Sequence, residues 1–340
     1  MHEKITFTPQ LIDTHCLIDV RTPLEFEEDH IPGAHNVPLL TNEERVEVGT
    51  IYKQIGPIEA RRRGLELTCS RYYAMVDQII SLSADRPIVV YCWRGGLRSL
   101  SVATLIEMCG TPAKQLAGGY KSYRNYVINY FEKCDFLSPL IVMHGMTGTG
   151  KTEFINGLDS FQWATIDLEG VACHRGSAFG ALGLEQDFTQ KQFETTLWDA
   201  FRHLPADRPI VLEGESLRIG RYSLPGRLYQ KMEESCKVWC HASMETRIKR
   251  LLVEYARPEY KGEMKEALER IRKKLGATRY AELKIMIEEW DVEGVARCLI
   301  EGYYDRVYYK HRPWTPDLEL ELEDFGQAQA ELGKFWGTRV

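Results

Sequence analysis

Residues Pro139 to Thr152 constrain this chain more than any other stretch. Leu140-Ile141-Val142-Met143 is an apolar run long enough for one buried strand. It leads straight into Gly145-Met146-Thr147-Gly148-Thr149-Gly150-Lys151-Thr152, the Gly-x-x-x-x-Gly-Lys-Thr pattern of a phosphate-binding loop. The glycines let successive backbone N–H groups turn inward around phosphate oxygens. Lys151 adds a point charge, and the Thr152 hydroxyl can hold Mg²⁺. The spacing of Phe154, Ile155 and Leu158 predicts a helix immediately afterwards, its N-terminal end facing the same anion. Gly145, Gly148, Thr149, Gly150, Lys151 and Thr152 are therefore the candidate contacts to a diphosphate or nucleotide.

The rest of the chain is long enough to surround this loop and to build something else. A length of 340 residues, 44% of them hydrophobic, suits two or three domains with proper cores. No apolar run approaches a bilayer span, and Met1-His2-Glu3-Lys4 opens no signal-peptide pattern, so a cytoplasmic protein is expected. Nine scattered cysteines, an odd number, argue against a disulfide framework. Cys236 and Cys240 lack a second pair at zinc spacing and read as core packing. The formal charge of -6 supplies no global attraction to nucleic acid, which would have to use local basic patches.

Before the phosphate loop, short apolar runs alternate with helical patterns. His15 to Val20 reads as a buried strand ending at Asp19, with a turn and short helix through Glu25 and Phe26. His30 to Pro38 is extended, and Thr41 to Ala60 looks helical, running into Arg61-Arg62-Arg63 as a solvated helix end. A helix through Met75, Val76 and Ile79 precedes the strand Pro87 to Tyr91. A second helix through Val102, Ala103 and Ile106 precedes the short strand Lys114 to Leu116. Such alternation implies a mainly parallel sheet covered on both faces, with its site at the carboxyl ends of strands.

Cys92 falls at such an end. Cys16, Cys69, Cys109, Cys134 and Cys298 read as inert small hydrophobes. Cys92, in contrast, opens Cys92-Trp93-Arg94-Gly95-Gly96-Leu97-Arg98-Ser99. Loop N–H groups, a following helix N-terminus, Arg94 and Arg98 all favour a thiolate and an anionic adduct there. Together with Leu17-Ile18-Asp19-Val20-Arg21 and His30-Ile31-Pro32-Gly33-Ala34-His35-Asn36-Val37-Pro38, this loop resembles a rhodanese domain. The resemblance implies that Cys92 carries sulfur or selenium as a persulfide or selenylsulfide. Trp93 is bulkier than the small residue common at that place, which points to a specialised donor or acceptor.

After the phosphate loop, Ile210 to Glu213 reads as a second buried strand, ending in Glu213-Gly214-Glu215 where Walker-B carboxylates act on Mg²⁺. Glu213 stands where an Asp is usual. Asp167, Glu169, Arg175, Arg218 and Arg221 are further acidic or phosphate-gripping candidates. The last third reads as helical over Met244 to Tyr255, Gly262 to Leu275, Arg279 to Glu289 and Gly294 to Tyr304. Lys261, Lys265, Arg270, Arg272, Lys273, Lys274 and Arg279 lie there, with Tyr280, Tyr303, Tyr304, Tyr308, Tyr309 and Trp314 among or after them. Basic residues mixed with aromatics suit RNA phosphates and unstacked bases.

Asp167-Leu168-Glu169-Gly170, His174-Arg175-Gly176-Ser177 and Glu213-x-Glu215-Ser216-x-Arg218-Ile219-Gly220, following a rhodanese-like part, resemble the tRNA 2-selenouridine synthase family along essentially the whole chain. The resemblance implies an α/β protein. Residues 1–135 would form a rhodanese-like parallel-sheet domain. Residues 136–340 would form a P-loop NTPase-like domain with a helical C-terminal region. It implies replacement of sulfur by selenium in wobble 2-thiouridine, through S-geranyl-2-thiouridine made from geranyl diphosphate. Selenophosphate, handed over by its synthase, would be the selenium donor. The competing reading is a P-loop ATPase or kinase carrying a rhodanese sulfur-carrier domain; ATP turnover without tRNA would favour it.

Overall fold

The apolar runs become strands covered on both faces. The computed structural model describes residues 3–133, 138–306 and 314–339. It separates into one unit of Met1–Phe131 with Phe188–Arg202 and another of Glu132–Asp187 with His203–Val340.

In the first unit β1 (Lys4–Ile5), β2 (Cys16–Asp19), β3 (His35–Asn36), β4 (Ile88–Tyr91) and β5 (Ala113–Leu116) form one sheet in the order β1-β5-β4-β2-β3. Every pairing is parallel. Helices on both faces leave no polar face for β2 and β4, whose residues are all buried, and this is why they read as continuous apolar runs. Asp19 pairs in register with Tyr91, so the carboxyl ends of the two central strands lie side by side.

The stretch read as one helix to Ala60 is two, Asn42–Gln54 and Pro57–Thr68. Gly56-Pro57 breaks the first, and Pro57 opens the second, where its missing N–H costs nothing. Arg61, Arg62 and Arg63 consequently lie inside a helix, and Arg63 is tied to Glu47 and Glu66. Phe188–Arg202, which follows the phosphate loop in sequence, packs in this unit. Its helix Gln190–Arg202 buries Phe193, Leu197 and Trp198, with the Trp198 ring edge-on to Tyr123 at 5.6 Å.

The second unit places β6 (Leu140–Gly145), β7 (Ala164–Ile166), β8 (Ile210–Glu213), β11 (Cys236–His241) and β12 (Leu318–Glu321) in a parallel sheet ordered β12-β11-β6-β8-β7. A small antiparallel pair, β9 (Arg218–Ile219) and β10 (Tyr222–Ser223), stands apart. The strand before the phosphate loop is thus central. Helices Met244–Tyr255, Lys261–Leu275, Ala277–Glu289 and Val292–Leu299 gather a second core around Phe179, Tyr255, Met264, Leu268, Ile287 and Leu299. The C-terminal third is not helical throughout: after these helices the chain returns to the sheet edge as β12, then forms the helix Phe325–Gly337.

Cys240 lies in the core of this sheet and Cys236 packs against it, as read. Cys69 and Cys109, read as small hydrophobes, are exposed. Cys134, Tyr308 and Tyr309 lie outside the described residues. Among the described residues no helix is long and apolar enough to cross a membrane.

Candidate active sites

Cys92 follows the last residue of β4 and is 3% exposed. The Gly96 N–H donates to its Sγ at 3.3 Å, and Ser99 Oγ lies 3.2 Å from the same sulfur. Gln115, on neighbouring β5, fixes both partners: its amide donates to the Gly96 carbonyl and to Ser99 Oγ, each at 2.9 Å. Gly96 also caps the helix Leu97–Met108, so the sulfur faces that helix's N-terminal end. The result is a sulfur held by a backbone donor and a hydroxyl, an arrangement suited to an anionic chalcogen adduct.

The two arginines of this loop part company. Arg98 is held by Glu25 at 2.8 Å; burial works to raise the Glu25 carboxyl, but the guanidinium keeps it below its usual range. Arg94 is exposed, with no ion-pair partner among the described residues. Beneath the loop lies a network that sequence reasoning missed. Asp19 and Arg21, both fully buried, form a bidentate pair, and the Arg21 guanidinium lies 3.9 Å from the centre of the Tyr120 ring. Tyr120 donates to Asp29 at 2.6 Å, and burial pushes the Asp29 carboxyl up. The signal available in sequence was a charged Asp-x-Arg directly after an apolar run, which must be paired once buried.

In the second unit Lys151 folds over its own loop, donating to the Gly145 carbonyl at 3.0 Å and the Met146 carbonyl at 3.4 Å. Thr149 is buried and donates to the Met146 carbonyl. Helix Met244–Tyr255 braces the loop from outside. Arg247 donates to the Thr147 carbonyl at 2.9 Å and pairs with Asp305, and Arg250 donates to the Thr149 carbonyl at 2.6 Å. Neither arginine stands out in the sequence; their spacing of one turn on a helix far along the chain carries no phosphate-loop signature. A cavity of about 610 Å³ opens over the loop, lined by Gly148, Gly150, Lys151 and Thr152 and by Glu169, Arg175 and Arg250.

The acidic candidates take different places. Thr152 donates to Glu169 at 3.1 Å. A Cβ on Gly176 would lie 2.7 Å from a carboxylate oxygen of Glu169 and 2.7 Å from one of Glu215, so the two acids converge on one spot beside Thr152. Burial raises both carboxyls, and Glu215 raises Glu169 further. Glu213 is fully buried and turned away, accepting the Leu168 N–H at 2.8 Å; burial and then Asp167 push it up to about 8. Asp167 caps a short helix through Gly170 N–H at 2.6 Å and accepts from Asn156. Arg175 donates to the Leu182 carbonyl at the cavity wall. Arg218 is exposed on β9.

Among the described residues the basic candidates for RNA take different places, and the Arg272 guanidinium lies 4.8 Å from the centre of the Tyr280 ring. Lys273 and Lys274 are exposed near the end of Lys261–Leu275. Lys265 is paired with Glu288, Arg272 with Glu269, and Arg279 donates to the Gly302 carbonyl. Tyr304 is buried, and the Trp314 ring lies 4.5 Å from that of His144.

A cradled strand-end cysteine in one parallel-sheet unit and a braced phosphate loop in another define a rhodanese-like domain joined to a P-loop domain. The rhodanese-like domain family matches residues 8–126, and the family described as tRNA 2-selenouridine synthase AAA domain matches residues 138–315. Among similar curated proteins, the tRNA 2-selenouridine synthase of Shewanella sp. (strain MR-7) is 34% identical over 80% of this chain and 78% of its own length. That of Shewanella loihica is 33% identical over 88% and 87%, and that of Cupriavidus pinatubonensis 34% over 86% and 87%. The chain belongs to the tRNA 2-selenouridine synthase family, and it is an enzyme.

Proposed function

We propose that the two units divide the replacement of sulfur by selenium in wobble 2-thiouridine of tRNA, the P-loop unit alkylating the sulfur and the rhodanese-like unit handling selenium. In the first step the diphosphate of geranyl diphosphate sits on the loop N–H groups and Lys151. The thiocarbonyl sulfur attacks the carbon bonded to the diphosphate, that C–O bond breaks, and the departing anion is stabilised where its charge grows. Thr152, Glu169 and Glu215 form an all-oxygen donor set suited to Mg²⁺, which takes one or two carboxylates together with substrate phosphates and would neutralise diphosphate charge there. In the second step the selenium of selenophosphate bonds to C2 as the C–S bond breaks, and the sulfur takes a proton and leaves as geranyl thiol, a far better leaving group than unalkylated sulfide. Water then cleaves the P–Se bond, releasing phosphate and leaving selenium on C2. Cys92 is the chalcogen-handling residue, with Gly96 N–H and Ser99 positioning its sulfur.

The observation that carries this reading over a kinase or ATPase is Glu213. The Walker-B position holds a buried carboxyl committed to a backbone N–H and pushed up to about 8, so it is mostly neutral at pH 7. That supports a loop that binds a diphosphate leaving group with no charged carboxylate at the Walker-B position, Mg²⁺ being left to Thr152, Glu169 and Glu215. tRNA phosphates would meet exposed lysines such as Lys273 and Lys274, and the tRNA substrate implies a cytoplasmic site of action. The test is mass spectrometry of tRNA nucleosides after incubation with the protein. Geranyl diphosphate alone should give S-geranyl-2-thiouridine, and adding selenophosphate should convert it to 2-selenouridine. ATP hydrolysis in the absence of tRNA, with no geranylation, would establish the kinase-type reading instead.

A further inference from the structure

Directly beside the phosphate-loop cavity lies a second cavity of about 480 Å³ in the same unit. Thr147, Ser177, Leu251 and Tyr255 line both, so the two share a wall. Their chemistry is opposite. The first is lined by Lys151, Arg175, Arg250 and carboxylates, the second by Phe179, Met264, Val295, Leu299, Ile300 and Tyr304. Among the described residues that line it, the side-chain polar atoms other than those of Thr147 and Ser177 at the shared edge are tyrosine hydroxyls. Ile300 and Tyr304 reach it from the wide helical turn Ile300–Tyr304, a type of turn that often marks a functional site.

We infer that this apolar cavity is the tail subsite of the phosphate loop, taking the hydrocarbon chain of a diphosphate ester whose head lies on Lys151. The inference rests on the reading of the loop as a diphosphate site and adds where the chain goes and which residues set its length. A nucleoside placed there would bury sugar and base polar atoms with almost no partners, a loss that a hydrocarbon does not suffer. Met264 can adapt to a bent chain, and Leu251 and Tyr255 at the shared wall would grip the carbons next to the head.

The test is titration calorimetry of the full chain with methyl, dimethylallyl, geranyl and farnesyl diphosphate, which share one head. Each buried carbon of the chain strengthens binding about fourfold, so burial of even three or four of the carbons that geranyl adds should make geranyl diphosphate bind about 100-fold tighter than methyl diphosphate. Ala296→Trp, on the cavity wall, should erase that advantage and leave methyl diphosphate unchanged. Leu299→Ala should shift the preferred length toward farnesyl and keeps the test decisive if the bulky variant misfolds. Equal affinity for methyl and geranyl diphosphate overturns the proposal, as does a geranyl advantage that survives folded Ala296→Trp, or a length preference unmoved by Leu299→Ala. Failure of the underlying reading looks different: Lys151→Ala would leave the affinity for methyl diphosphate unchanged.

Discussion

Gly119 stands so close behind Cys92 that a Cβ on it would lie 2.1 Å from the Cys92 carbonyl oxygen. Its φ of +59° is left-handed, and the N–H of the next residue, Tyr120, donates to that same carbonyl at 2.9 Å. The turn after β5 is therefore the floor on which the sulfur loop rests. Gly119→Ala costs about 1–2 kcal/mol from the backbone conformation alone and must push the Cys92 carbonyl aside. The expected outcome is a lower urea midpoint and a severe loss of selenouridine formation, while S-geranylation of tRNA persists. Selenouridine formation at the normal rate would show that the sulfur's position does not matter.

Glu213 gives the enzyme a pH signature. Its folded value of about 8 lies above the ordinary value of 4.5, so the folded chain holds the proton more tightly than the unfolded one. The associated stability is fully present below about pH 4.5 and is lost as pH rises to about 8. Glu213→Gln keeps the neutral shape and can still accept the Leu168 N–H. Its stability relative to the natural protein should therefore grow from pH 5 to pH 8 in urea denaturation. A difference that stays constant across that window would mean Glu213 is ionised in the folded state.

Binding of tRNA should weaken as salt rises, because the proposed contacts are cations on phosphates. Lys273→Glu with Lys274→Glu should lower affinity and flatten the plot of log affinity against log salt by about one for each phosphate no longer neutralised. Both lysines are exposed, so the fold should be unaffected. An unchanged affinity would move the RNA surface away from helix Lys261–Leu275.

What could be read in advance follows from local chemistry. Asp19, Cys92, the phosphate loop and Glu213 all end or follow apolar runs, and a fully buried parallel strand has no other appearance. β11 escaped because Cys-Lys-Val-Trp-Cys-His alternates in character and its two cysteines drew a different question. β12 escaped because an edge strand of Leu-Glu-Leu-Glu carries a half-polar pattern. Helix Gln190–Arg202 is amphipathic, but nothing in its sequence says which core receives Trp198. The bracing of the loop by Arg247 and Arg250 joins residues 100 and 101 positions apart, a relation that only folding supplies. For the same reason the pairing of Arg98 with Glu25, 73 positions away, is not legible in the sequence.

The division of labour between the two loops is tested most directly by nucleoside mass spectrometry on two variants, each given 2-thiouridine tRNA, geranyl diphosphate and selenophosphate. Cys92→Ala should accumulate S-geranyl-2-thiouridine and make no 2-selenouridine, because the phosphate loop is intact and the chalcogen step is not. Lys151→Ala should leave 2-thiouridine unmodified, yet make 2-selenouridine when supplied with tRNA already S-geranylated. If Lys151→Ala geranylates at the natural rate, or Cys92→Ala still makes selenouridine, the assignment of the two steps to these two sites is wrong.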